Sequence, residues 1–168
     1  SLINYEETMK KLFFTYLLFS TCVLLGAQTT KTDSLLNLLK TGNLTAKGQL
    51  DIYKDLCDEF LYNDTEKSIE YARKGLNIAE KEKDKLGASQ FKEAIGKVYS
   101  TRGDYESALE YMENALALAI ESADIDREAS IYVSIAIVLS KQSKYAEELE
   151  YYMKALPLFE KSGNTKGY

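Results

Sequence analysis

Histidine is absent from this 168-residue chain, and that absence removes Ser-His-Asp and Cys-His nucleophile arrangements, histidine-containing zinc sites and any phospho-accepting histidine. Glycine never clusters. Gly42, Gly48, Gly75 and Gly87 stand singly, so no glycine-rich loop is available to cradle a phosphate. The single proline leaves long helices unobstructed, because few positions lack a backbone donor. Two cysteines are too few for a disulfide framework. Lys and Arg number 21 against 26 Asp and Glu, a net charge of -5, and no basic cluster occurs. Nucleic-acid binding through this segment is therefore disfavoured, since it depends on cations neutralising phosphates. No catalytic, cofactor or metal constellation is left, and the chain reads as a non-enzyme with no cofactor.

What remains is 45% hydrophobic and 28% charged, the composition of a soluble chain of one domain that buries a core. Met9, Lys10 and Lys11 precede an apolar run over residues 12–25, followed by Gly26 and Ala27. A basic start, an apolar stretch shorter than the roughly 20 residues of a bilayer span, and small residues after it form the pattern of a signal peptide over 9–27. Cleavage after Ala27 would leave Cys57 as the mature cysteine. Lipidation at Cys22 is the alternative, although Phe19-Ser20-Thr21 before it is a poor lipidation box. Residues 1–8 read as an upstream, non-native extension. The localisation expected from the leader is periplasmic, or on the extracytoplasmic face of the membrane.

Sliding the chain against itself by 40 residues aligns EYARKGLNIA, EYMENALALA and EYYMKALPLF. Glu70, Glu110 and Glu150 coincide, as do Tyr71, Tyr111 and Tyr151, then Leu76, Leu116 and Leu156, each after a small Gly75, Ala115 or Ala155. Within a copy the apolar positions fall at helical spacing, as in Leu109, Met112 and Leu116. A second helical pattern precedes each copy: Tyr53, Leu56, Cys57, Phe60; Phe91, Ile95, Val98, Tyr99; Tyr132, Ile135, Ala136, Leu139. Gly103 suits a left-handed cap and Asp104 an N-cap, with Ser143 replacing the glycine in the third copy and Asn63 or Asp64 capping in the first. Cys57, Gly96 and Ala136 align where paired helices approach closely.

Ile95-Gly96, Tyr99, Gly103-Asp104-Tyr105, Ala108, Tyr111 and Ala115-Leu116 together resemble the tetratricopeptide repeat (TPR). The third copy keeps Ile135-Ala136, Tyr145, Tyr151 and Ala155-Leu156, but carries Leu139 and Glu148 where the pattern has tyrosine and alanine. The spacing of 40 exceeds the usual period of about 34, and resembles a longer-helix variant. The resemblance implies an all-α fold, a right-handed α-solenoid of antiparallel helix pairs. Its parts would be an N-terminal capping helix over 32–41, repeats over 45–83, 85–123 and 125–162, and the start of a truncated further repeat over 163–168. Pro157 falls inside the last helix, where a kink near Met153 is expected. Leader, opening helix and repeats together resemble the N-terminal extracytoplasmic TPR region of bacterial (Bacteroidetes-type) sensor histidine kinases or related regulators.

Function follows from that resemblance as an expectation: a scaffold that binds a protein or peptide, serving as the extracytoplasmic sensory segment of a bacterial signal-transduction protein. A free periplasmic or lipid-anchored adaptor is the alternative. Family geometry implies a concave face lined by the first helix of each pair, which selects Gln90, Glu93, Lys97 and Ser100, then Ser130, Val133, Ile137 and Ser140. Val133 and Ile137 would anchor an apolar side chain or pack on a neighbouring helix. Asp55, Ala94 and Ser134 stand where the carboxylate-clamp subclass has asparagine, which disfavours capture of a peptide C-terminus. Asp55, Asp58 and Glu59 read as a solvated face, and Tyr71, Tyr111 and Tyr151 as packing residues. Membrane contact is expected only through the leader or a missing C-terminal span.

Overall fold

The computed structural model describes residues 9–13 and 31–163. Residues 1–8, most of the leader and the segment 164–168 lie outside the described residues, and with them the readings made there. The chain divides into two compact units, 1–43 and 44–168. The first contains a short helical stretch at 9–13 and helix α1 at 31–41, on which Leu35, Leu36 and Leu39 are half-buried.

The second unit is all helical among its described residues. Helices α2 (Ala46–Phe60), α3 (Thr65–Lys81), α4 (Lys85–Arg102), α5 (Tyr105–Glu121), α6 (Ile125–Lys141) and α7 (Tyr145–Ser162) follow one another through short turns. Packing runs in chain order, α2 on α3, α3 on α4, and onward to α7, with additional contacts between α2 and α4 and between α4 and α6. This is an α-solenoid built from three antiparallel pairs, with α2, α4 and α6 as the first helix of each pair.

The turns explain why the helices stop where they do. Lys83, Gly103, Ala123, Ser143 and Gly163 all take left-handed φ values between 54° and 81°. The backbone N–H of the next residue then reaches back to the last helical turn: Asp84 to Ala79 O at 2.8 Å, Asp104 to Tyr99 O at 3.0 Å, Asp124 to Ala119 O at 3.2 Å, and Lys144 to Leu139 O at 3.0 Å. These bonds satisfy carbonyls that a helix end otherwise leaves unpaired. The same aspartates begin the next helix, because the side chains of Asp64, Asp84, Asp104 and Asp124 accept from backbone N–H groups in its first turn. The left-handed stop thus follows α3, α4, α5, α6 and α7, while the α2–α3 turn lacks it and keeps only the Asp64 cap. Lys144 breaks the series and makes no side-chain cap. Pro157 does not end α7, which runs through it to Ser162.

Close approach is set by small residues. A Cβ on Gly75 would lie 2.2 Å from the Phe91 ring, and one on Gly96 would meet Met112 and the Ala108 carbonyl at 2.9 and 3.0 Å. Cys57 packs with Ile69 and Ala72, while its carbonyl accepts from the Ser68 hydroxyl at 2.9 Å. Further along, Ala108, Met112, Ala115 and Ala119 of α5 form a buried seam against Ile131, Ile135, Val138 and Leu139 of α6. The tyrosine series is packing: Tyr53–Tyr71, Tyr99–Tyr111 and Tyr132–Tyr151 pair within each helix pair at 6.2, 5.5 and 6.0 Å.

Candidate functional site

The first helices of the pairs line two adjoining clefts. Lys54, Cys57 and Asp58 of α2, Gln90, Glu93, Ala94 and Lys97 of α4, and Arg127 of α6 surround one of about 80 Å³. Leu61 and Tyr62, Lys97, Ser100 and Thr101, and Ser134, Ile137 and Lys141 surround one of about 100 Å³. Lys97 lines both, so the clefts form one continuous inner face.

Glu93 organises this face from below. It is 3% exposed, pairs with Arg127 and with Lys97 Nζ, the latter at 2.9 Å, and accepts the Ser134 hydroxyl at 2.5 Å. Burial alone would raise its carboxyl, but Lys97, Arg127 and the Ser134 hydroxyl outweigh that and hold it below the ordinary carboxylate value. A buried charge persists because its partners replace the water it lost. Arg127 also donates to the Ser89 carbonyl at 3.4 Å, while Ser89 donates to the Ala115 carbonyl at 2.8 Å. Lys141 Nζ donates to Ser100 Oγ at 3.1 Å. The second and third repeats are therefore bridged by polar contacts from α4 to α6.

The predicted concave residues separate into three groups. Gln90, Lys97, Ser100 and Ile137 line the clefts, and Ile137 is 45% exposed there. Glu93 borders a cleft as well, but it is consumed by its internal partners and supports the face without presenting a free carboxylate. Val133 does not join Ile137, despite lying one helical turn away. It packs beside Ala155 and Phe159 and lines a different depression, between α6 and α7. The reason is its register: Val133 occupies the place of Glu93 one repeat later, and Glu93 points toward the next first helix. Ser130 and Ser140 are half-buried; Ser130 Oγ donates to the Asp126 carbonyl at 2.8 Å, and neither serine lines the clefts.

Sequence reasoning missed Lys54, Tyr62, Arg127 and Lys141. A signal existed in the register, since Arg127 stands where the preceding repeat has Gly87, and Lys141 where it has Thr101. A charge replacing a small residue at a junction is what the alignment offers.

Cys57 lies under the inner face, and burial, reinforced by Asp58, pushes its thiol up to about 12. It is a neutral packing group at physiological pH and not a nucleophile. Among the described residues no group of three His, Cys, Asp or Glu is placed to hold a metal ion, and no helix is long and apolar enough to cross a membrane.

Comparison with known proteins agrees with the fold. A sequence profile described as the SusR N-terminal TPR domain matches residues 26–115, and one described as a tetratricopeptide repeat matches residues 87–161. No curated protein matches the chain. Among solved structures, the TPR domain of Arabidopsis FLU is similar in fold, with a TM-score of 0.59 and 19% identity, covering 70% of this chain and 99% of that one. TPR domains in general mediate contacts between proteins through extended curved surfaces, and the scaffold is typically non-enzymatic. Since the first of those profiles matches more than half of the chain, this is a tetratricopeptide-repeat protein, a member of the SusR N-terminal TPR domain family.

Proposed function

We propose that the inner face of α2, α4 and α6 binds a peptide segment that carries carboxylates beside an apolar side chain, as the sensory part of an extracytoplasmic signalling protein. The observation that carries the binding reading is the composition of the clefts. Lys54, Lys97, Arg127 and Lys141 stand against Asp58 and Glu93, a cationic excess on a chain whose net charge is -5. Ile137 and Tyr62 supply exposed apolar surface in the same groove. The match to an N-terminal TPR domain of a Bacteroidetes regulator supports the signalling role, and the leader-like sequence at 9–27 supports export.

Two experiments test these parts separately. Fluorescence anisotropy with a fluorescein-labelled peptide of alternating glutamate and leucine should report saturable binding that weakens about tenfold in Lys141→Glu and in Ile137→Glu. Equal binding by wild type and both variants would sink the inner-face reading. For export, alkaline phosphatase fused after Tyr168 should be active in a bacterial host, because the enzyme needs periplasmic disulfides. It should lose activity when Leu17→Arg and Leu18→Arg interrupt the apolar run. Unchanged activity in that variant would remove the leader from the argument.

A further inference from the structure

Glu93 and the inner face draw on the same cation. The Lys97 side chain is 42% exposed and lines both clefts, yet its Nζ is held 2.9 Å from Glu93 Oε1. The two residues stand one turn apart on α4, so the flexible lysine stem can swing from the buried carboxylate to a partner in the groove with no change in its own helix. Glu93 cannot follow it. The Glu93 side chain is 4% exposed, and its other partners come from α6: the Arg127 guanidinium on Oε2 and the Ser134 hydroxyl on Oε1 at 2.5 Å. A buried charge is tolerated only while its partners replace the water it lost, so a carboxylate deprived of one cation is left under-compensated. That shortfall falls on Arg127 and Ser134, and through them on the contact between α4 and α6.

The arrangement belongs to one junction. Where the second and third repeats place Glu93, Arg127 and Ser134, the corresponding registers of the first and second hold Lys54, Gly87 and Ala94, which cannot form it. The apolar fit differs in the same direction. The Phe91 ring fills the α3–α4 seam against Gly75, whereas the smaller Ile131 stands at its place in the α5–α6 seam. The second junction therefore leans more on its buried ion cluster than the first does on any such group.

We propose that Glu93 is a built-in competitor for the acidic ligand of the inner face and also the latch that reports its binding: a ligand carboxylate takes Lys97 from Glu93, and α6 then packs less firmly on α4 at the junction of the second and third repeats. This regulation rests on the inner-face reading. Linkage makes it reciprocal, because whatever releases Lys97 from Glu93 tightens the ligand by the same factor by which the ligand weakens that pair.

The test uses the full chain and the fluorescein-labelled peptide of alternating glutamate and leucine. Two variants release Lys97: Glu93→Gln alone, and Glu93→Met combined with Arg127→Met. The double change replaces the buried pair by apolar side chains, which buried ion pairs generally tolerate, so it decides the matter if the single variant fails to fold in urea unfolding. Each folded variant should bind the peptide about tenfold more tightly than wild type in fluorescence anisotropy. A ligand ordinarily slows amide exchange beneath it. Here hydrogen exchange followed by mass spectrometry should become faster over residues 125–134 when wild type is saturated with peptide, and should not quicken in the double variant, whose α6 no longer depends on Glu93. Affinity in the folded double variant equal to or below that of wild type, or wild-type exchange over 125–134 that slows or stays constant on binding, overturns the latch and leaves the inner-face reading standing. Absence of saturable binding by wild type and by both variants removes the inner face, and the latch with it.

Discussion

At Glu93 a full charge lies almost out of reach of water, and its balance is readable from its neighbours. Arg127, Lys97 and Ser134 converge on its two oxygens, which outweighs the cost of burial and keeps the carboxyl ionised below its ordinary range. Glu93→Gln leaves Arg127 facing a neutral amide, and should cost about 3 kcal/mol of stability at neutral pH, measured by urea unfolding. The sign with pH follows from the depressed value in the folded state. The charged carboxylate stabilises the fold fully above the ordinary glutamate pKa of about 4.3, and that stabilisation fades as pH falls through the lower folded value. The gap between wild type and variant should therefore be widest near neutrality and narrow in acid. A gap that stays constant with pH would mean that charge is not what Glu93 contributes. Cys57 makes the opposite case, a titratable group for which burial dominates and leaves it neutral.

Between helices the fine fit is made by complementary volumes. Gly75 of α3 receives the Phe91 ring of α4 with no room for a Cβ, whereas one repeat later Ala115 of α5 sits in the same buried seam as the smaller Ile131 of α6. Gly75→Ala gains up to about 1 kcal/mol of helix propensity but overpacks the seam at a cost of about 1–3 kcal/mol. The net expectation is a loss of about 1 kcal/mol in thermal unfolding. Combining it with Phe91→Ile should lose less than the sum of the two single changes, because the pair then matches the next repeat. Strict additivity would show that the two residues do not share a seam in solution. This pattern was present in the sequence as the aligned small residues Gly75, Ala115 and Ala155 before each leucine, whereas close approach was expected at Cys57, Gly96 and Ala136. The partner that makes it necessary, Phe91, lies on another helix and is not marked by the spacing. The rhythm of Asp64, Asp84, Asp104 and Asp124 was legible in the same way, yet only Asp104, with Asn63 or Asp64, was read as a cap, because attention fell on the turn inside each pair and not on the turn between pairs.

In the stack as a whole, stability is distributed by neighbours. Among the described residues, helix α4 is packed by α3, α5, α2 and α6, whereas α7 is packed chiefly by α6, with Leu149, Met153 and Leu156 exposed. Amide hydrogen exchange should therefore be slowest over residues 91–99 and faster along α7, as expected when opening free energies follow local burial. Slowest exchange in α7 would contradict this ordering of local burial. The sequence by itself determined the all-α repeat architecture, because a period of 40 with helical spacing inside it can bury its apolar stripe only by stacking helix pairs. It also determined the family, and the packing role of the tyrosines. Only the tertiary structure decided which inner-face residues line the clefts. Glu93, Lys97, Val133 and Ile137 share one spacing rule on their helices, but Glu93 is consumed by Arg127, Lys97 and Ser134, Val133 is turned to the depression between α6 and α7, and Ile137 is left with Lys97 lining the clefts. That division depends on what the neighbouring repeat brings against each side chain, and a helical period records the side a residue occupies without recording what will meet it.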